Sequence, residues 1–388
     1  MTLELSRLTG QVQAMGEELA ARERQYADLV GLARRWLAQY AARGESLGHA
    51  ARAIRAAIPT GEPLDAHHAL PAIPDRIAVV AADGSQIQPD RHGAVLYHLI
   101  NIGSLVYRHG SGEAPETRSV PTLGYTEEDL YEGGMLVAGN LLDVRRDLAE
   151  ITHLADVSAA EPPGPTIALV DGSLILWVLD ELPPQERQGK MADYLEQLDR
   201  IRQAGAAVAG FISRPRHGEV TRLLHLASVD GDANRASQEP NPLERLPDRA
   251  VFENLPPGAR SALFINPSSI NYEQYRPAGH TVYFFYLNLA EAGRDPVIAR
   301  VELPAWVAEY PDRLALVHGA IVAQARITGD YPYALIRADE LAFIGGPERE
   351  AFEDMIIKSL LRAGVRSALS PKAYYKSLTR GGRRKYRR

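Results

Sequence analysis

Apolar residues recur every three or four positions through the first part of the chain. Leu5, Leu8, Val12, Met15 and Leu19, then Leu29, Leu32, Ala33, Trp36, Leu37 and Tyr40, stand among Glu, Arg and Gln. That period predicts helix from Leu3 to Ile58. A helix of this length outside a compact core serves as a dimer or partner surface, or else packs on its own domain. Pro59 to Pro74 reads as a loop, and its adjacent His67 and His68 read as surface residues.

The period then shortens. Arg76 to Asp83 is a short apolar, β-branched run suited to a buried strand, and Gly93 to Tyr107 predicts a strand pair or one long strand bent at Gly103. Glu127 to Ala155 returns to helical spacing, ended by Pro162 to Pro165. Thr166 to Asp171 gives a second buried strand. A helix from Gln188 to Ala204 leads to a third, Ala206 to Ser213. A basic turn with Arg214 and Arg216 precedes a helix near Val220–Leu226, and Asp230 to Arg249 is polar and loop-like. His280–Asn288 and Pro296–Glu302 pattern as a hairpin, followed by helices over Asp312–Thr328 and Leu335–Leu361. Strand, hairpin, helix, strand, helix, strand is a mixed α/β order.

Composition narrows the function classes. The chain of 388 residues is 45% hydrophobic and 24% charged, ordinary globular values. With no cysteine, disulfides, thiol nucleophiles and zinc–thiolate sites are excluded. No apolar run reaches the roughly 20 residues a bilayer demands, and the charged N-terminal stretch is unlike a signal peptide, so a cytoplasmic location is expected. The net charge of −6 hides an uneven distribution, because residues 372–388 carry Lys372, Lys376, Arg380, Arg383, Arg384, Lys385, Arg387 and Arg388 with no acid. Such a tail is either a solvated terminus or a phosphate-backbone contact.

Two segments carry the candidate chemistry. Asp83-Gly84-Ser85 and Asp171-Gly172-Ser173 each follow an apolar strand. One Asp-Gly pair is usually a tight turn. Two, at the carboxyl ends of separate buried strands, can bring their carboxylates to one site. Crowded like charges call for a neutraliser, and hard oxygen ligands favour Mg²⁺ or Mn²⁺. On the intervening helix Glu150, four residues after Arg146, is a third candidate, in competition with Asp143 and Asp147. Late in the chain, Gly329-Asp330-Tyr331-Pro332 opens a helix on which Asp339 lies about two turns in. Asp339 can complete a metal site, and Tyr331 can touch a substrate phosphate.

The double Asp-Gly-Ser arrangement, the segment Ala207 to Pro215 and the block Gly329 to Asp339 together resemble the NurA family of DNA-end-processing nucleases, across roughly Arg76 to Phe352. The resemblance implies a ribonuclease-H-like mixed sheet flanked by helices, here with an N-terminal helical extension. It implies a homodimer with a central channel, and Mn²⁺-dependent 5′-to-3′ exonuclease and single-strand endonuclease activity on DNA. It also implies a partner, a HerA-type hexameric ATPase. By position, the family's strand aspartates correspond to Asp83 and Asp171, its helix glutamate to Glu150 and its late tyrosine to Tyr331. Eight residues after that tyrosine, where archaeal members are expected to have histidine, stands Asp339, which leaves the metal preference open. Two ions held by Asp83, Glu150, Asp171 and Asp339 would then clamp a phosphodiester. Arg214 and Arg216, Lys358 and Arg362, or Lys372 and Lys376 of the tail, are candidate DNA contacts.

The expected organisation is a helical region over 1–58, a nuclease domain over 75–365 and a basic tail over 366–388. Two rival readings remain. Actin-like and sugar-kinase-like phosphotransferases also use an Asp-Gly-Ser turn, but no Gly-x-x-x-x-Gly-Lys loop is present and Gly345-Gly346-Pro347 is a poor adenosine segment. A non-catalytic DNA clamp or adaptor would keep the fold and lose the acids.

Overall fold

The computed structural model describes residues 5–93, 95–182 and 184–364. The basic tail, Lys372 and Lys376 included, lies outside the described residues. The principal elements begin with helices α1 (Thr9–Gln39) and α2 (Gly44–Ala53). Strands β1 (Ile77–Ile87), β2 (His98–His109) and β3 (Glu116–Gly124) follow. Then come α3 (Asn140–Ala160), β4 (Thr166–Asp171), α4 (Pro184–Gln203), β5 (Ala207–Ile212) and α5 (Glu219–Ser228). The chain continues through β6 (Val282–Asn288), β7 (Ile298–Pro304), α6 (Pro311–Thr328), α7 (Tyr333–Ala342) and α8 (Gly346–Arg362). Among the described residues no helix is long and apolar enough to cross a membrane.

Two compact units share this chain. The first takes residues 1–73, 172–175 and 209–332; the second takes 74–171, 176–208 and 333–388. In the second unit the sheet order is β5-β4-β1-β2-β3, with β5 contributing its first two residues. β1 pairs antiparallel with β2 and parallel with β4, and β2 pairs antiparallel with β3. Three antiparallel strands followed, beyond a crossover helix, by a parallel one give the ribonuclease-H-like mixed sheet that the resemblance implied. The crossover helix α3 packs on β1 and buries Ile151, Leu154 and Ala155. β3 is polar and exposed nearly throughout, an edge strand that apolar patterning does not reveal.

In the first unit β6 and β7 form the expected antiparallel hairpin, and β7 continues the pairing to residues 210–212 of β5. Its core joins Phe264, Phe284 and Tyr286 to Leu223 and Leu226 of α5 and to Val30, Ala33, Leu37, Leu47 and Ala51 of the N-terminal helices. The second half of α1 thus packs on its own unit. Near the start of the chain Leu5, Val12 and Met15 are exposed.

Several expectations are corrected. β1 runs straight through Asp83-Gly84-Ser85, which pair with Gly103, Ile102 and Asn101, so the first Asp-Gly-Ser is strand and not turn. Gly103 is no bend either. A Cβ there would lie 2.4 Å from the Ala338 carbonyl oxygen and 2.3 Å from the Ala342 nitrogen, so glycine admits α7 onto the strand. The helix predicted from Glu127 is broken. Residues 127–130 form one turn capped by Thr126, a two-residue hairpin follows, and α3 begins only at Asn140. Residues 335–361 divide into α7 and α8 at Phe343–Gly345. His67 and His68 form a short strand against Arg260 and Ser261, and His68 Nε2 lies 3.1 Å from Glu62.

Candidate active site

The sheet register brings the two aspartates side by side. Parallel pairing of β1 with β4 ends at Ala82↔Val170, so Asp83 and Asp171 are the next residues on adjacent strands. Asp171 is exposed at the end of its strand, whereas Asp83 is partly buried. Burial raises the Asp83 carboxyl, and the nearby Asp171 and Asp339 raise it further, against the opposing hydrogen bond from the Gly84 amide at 2.8 Å; the result is about 6. Asp339 also shares a hydrogen bond with Asp83. Two carboxylates can share such a bond only through a proton, which adds to the rise at Asp83.

Helix α7 carries Asp339, and its C-terminal end is fastened to the sheet. The Ser85 hydroxyl donates to the Ala342 carbonyl oxygen, and the buried Asn101 amide donates to the same oxygen at 2.8 Å and to Leu341 at 3.2 Å. Ser85 is therefore a tether. Together with the close approach at Gly103, it sets where Asp339 stands relative to β1.

Helix α3 brings Glu150 against the same strand. A Cβ on Gly84 would lie 2.5 Å from Glu150 Oε1 and 2.8 Å from Arg146 Cγ, so the glycine is what admits this helix face. Burial, then Asp147, raises the Glu150 carboxyl well above the usual range, Asp83 adds to it, and Arg146 opposes. The Arg146 Nε stands 3.1 Å from Glu150 and its Nη2 donates to Asp147 at 2.8 Å. Asp143 accepts from Gln86. Of the three acids on this helix, Glu150 is the one on which the Asp83 charge acts.

The second Asp-Gly-Ser is a true turn. Gly172 has φ +101, a conformation L side chains rarely adopt, and its amide donates to the Phe211 carbonyl at 2.8 Å. The Ser173 hydroxyl donates to Glu302 Oε2 at 2.7 Å, and the Leu174 amide donates to the same oxygen at 3.0 Å. Glu302 Oε1 in turn accepts from Arg300 Nε at 3.0 Å, while Arg300 Nη1 donates to Glu219 at 2.6 Å. Arg300 and Glu302 are wholly buried, and the guanidinium lies 3.6 Å over the Phe284 ring. Sequence reading passed over this pair because both sit in an apolar hairpin whose burial only the fold reveals. The one available signal was two charges at alternate positions within a β-branched run.

Tyr331 belongs to the first unit, where its ring meets Phe211 edge-on with centroids 5.0 Å apart and its carbonyl accepts from Thr328. Arg214 and Arg216 follow β5 in that unit and are exposed, as are Lys358 and Arg362 of α8 in the second. Among the described residues, no three His, Asp or Glu side chains stand together in a geometry that could hold a metal ion. The donor chemistry nevertheless suits a hard cation. The groups are carboxylates, and the neighbours that push Asp83 upward are themselves acids.

The sequence model of the NurA domain family matches residues 77–344. No curated protein sequence matches the chain. Among solved structures, the NurA nuclease from Sulfolobus solfataricus is 14% identical with a TM-score of 0.48, covering 90% of this chain and 98% of that one. A NurA bound to dAMP and manganese is 12% identical with a TM-score of 0.37, covering 75% and 90% respectively.

Proposed function

The chain belongs to the NurA domain family, and from that premise we propose that it is a metal-dependent deoxyribonuclease that hydrolyses phosphodiester bonds at DNA ends. The carrying observation is the gathering of acids from β1, β4 and α7 around Asp83, expressed in its rise to about 6. A solved NurA with manganese and dAMP supports the choice of metal and substrate only as a likeness. In this reading Asp83, Asp171, Asp339 and Glu150 hold one or two divalent ions, Mn²⁺ or Mg²⁺. Bound there, the ions supply a water of lowered pKa and neutralise charge on the phosphodiester.

The chain's own residues prepare that state. Asp83 would give up its proton, and Glu150, which already lies against Gly84, would release Arg146. The missing side chain at Gly84 admits the glutamate there, and Arg146 keeps Asp147 as its partner. Ser85, Asn101 and Glu302 hold the segments that bear Asp339 and Asp171. Tyr331, Arg214, Arg216, Lys372 and Lys376 contact the DNA strand in this proposal. It further includes 5′-to-3′ exonuclease and single-strand endonuclease activity, a homodimer, a HerA-type hexameric ATPase as partner in break repair, a cytoplasmic location, and dimer or partner contact through residues 1–58.

A non-catalytic DNA clamp is the second reading, favoured by the absence, among the described residues, of three acids already poised for a metal. Degradation of 5′- and 3′-labelled single-stranded DNA with Mn²⁺, Mg²⁺ or EDTA separates the two. Metal-dependent cleavage by the wild type, lost in Asp83→Ala and Asp171→Ala, is expected. No cleavage with any metal, even with the translocase added, would replace the nuclease by the clamp.

A further inference from the structure

The first unit contains an open cleft of about 1020 Å³ whose walls come from α1, α5 and residues 236–249. Four exposed guanidinium groups, Arg216, Arg222, Arg245 and Arg249, line it. Among the described residues only Arg222 has an anchoring bond, to the carbonyl of Arg55 at 2.6 Å, which leaves its charge uncompensated. Arg216, Arg245 and Arg249 have no carboxylate partner among the described residues. Of the two acids that line it, Glu239 is already paired with Arg235 at 2.8 Å, which leaves Glu244, among the described residues, as the unpaired lining carboxylate against four cations.

Two further side chains shape the cleft. His225 of α5 is 3% exposed and forms part of its floor. Tyr26 offers an aromatic ring in the same wall. The N-terminus of α5 is not the attraction, because its Val220 and Thr221 amides already donate to Asp248 at 3.0 and 2.8 Å.

We propose that this cleft binds a phosphoester-bearing ligand, a stretch of single-stranded nucleic acid, outside the carboxylate site. Guanidinium groups present planar, paired donors that match phosphate oxygens, and unlike ammonium groups they are weakly hydrated. Several along one cleft, with an aromatic face among them, are the combination that tracks a strand backbone and stacks a base. The cleft is larger than one inorganic phosphate requires and suits one or two nucleotides. The proposal deepens the reading of DNA as substrate, yet it needs no metal and no cleavage.

The test is therefore binding in EDTA. Anisotropy of a fluorescein-labelled oligothymidylate is measured against salt for wild type, for Arg245→Gln/Arg249→Gln, and for the triple variant adding Arg216→Gln. All these side chains are exposed, and thermal melts check that each variant is folded. The triple variant is expected to bind at least about tenfold more weakly, with a log–log salt slope smaller by about 2, since each single-strand phosphate contact contributes roughly 0.7. The double variant is expected to fall between. Unchanged affinity and slope in folded variants would overturn the proposal. Competition with dAMP and with inorganic phosphate identifies the source. Displacement only by oligonucleotide supports a strand, whereas full displacement by dAMP or phosphate at equal phosphate concentration would overturn it in favour of a free nucleotide or ion. A wild type that binds the strand in EDTA yet cleaves nothing with any metal would count against the nuclease reading alone.

Discussion

The Ser173 hydroxyl donates to Glu302 Oε2 at 2.7 Å, which ties the turn after Asp171 to a charge buried in the β6–β7 hairpin. The same carboxylate holds Arg300 through its other oxygen at 3.0 Å. Glu302→Gln leaves the turn one acceptor but deprives a fully buried guanidinium of one of its two counter-charges. Breaking a buried pair from one side costs about 3–5 kcal/mol. Because Glu219 still holds Arg300 at 2.6 Å, a loss nearer 2–3 kcal/mol in urea unfolding is expected for Glu302→Gln. In the proposed reaction its kcat falls more than its KM rises. An unaltered urea midpoint would show that the pair bears no net load.

The two motif glycines are expected to fail for different reasons. Gly84→Ala drives a Cβ to 2.5 Å from Glu150 Oε1, so α3 must shift. Overpacking of this kind costs about 1–3 kcal/mol, and cleavage should fall with it. Gly172→Ala meets nothing within 4 Å but strains a backbone at φ +101, at about 1–2 kcal/mol. Suppression by a smaller neighbour separates them. Glu150→Ala in the Gly84→Ala background should recover part of the stability, and adding Arg146→Ala, which removes the second contact, should recover more; no neighbouring truncation should rescue Gly172→Ala.

Removing an acid should stabilise the metal-free protein. Burial and two neighbouring acids hold Asp83 at about 6 against its ordinary 3.8. The folded state therefore keeps a proton that the unfolded chain has released, and stability falls as pH rises from about 4 to 6. The cost is fully present above that window and amounts to at most about 3 kcal/mol. In EDTA at pH 8, Asp83→Asn should melt above the wild type, with the advantage vanishing near pH 4. Added Mn²⁺ should reverse the order, because it stabilises only the protein that binds it. Identical melting of the two proteins across the pH range would show that Asp83 is not under strain.

His318 works in the opposite sense over the same range. Burial, with the charges of Arg260 and His68, lowers it to about 4, although its Nε2 lies 2.7 Å from the Gly258 carbonyl oxygen. The folded state holds it neutral while the unfolded chain protonates near 6.5. Its contribution is full above 6.5 and is lost as pH falls toward 4, a difference of about 3 kcal/mol. Urea midpoints at pH 7 and pH 5 should diverge for the wild type and much less for His318→Gln. Equal divergence in both would assign the acid sensitivity elsewhere.

What the chain discloses before folding is uneven, for physical reasons. Thr166–Asp171 was legible to the residue because buried strands are short, apolar and β-branched, and a proline precedes it. The paired aspartates were legible as a pattern. Their backbones were not, since Asp-Gly-Ser is compatible with both the extended pairing of Asp83–Ser85 and the turn at Gly172. Gly103 and Gly84 look like flexibility in one dimension and prove to be contact surfaces in three. The roles of Ser85, Ser173 and Glu302 depend on partners far away in sequence, which no local period encodes. The basic stretch at the end was the one prominent charge signal, whereas the arginines of the cleft come from separate segments and carry no such mark.

At Gly103 helix α7 rests on strand β2 backbone to backbone. No rotamer stands between them, so the placement of Asp339 inherits none of the looseness that warming gives to side chains. Heat should not blunt this centre gradually. Its acids should keep their spacing until the sheet itself melts, so that inactivation on heating coincides with loss of the fold and does not precede it.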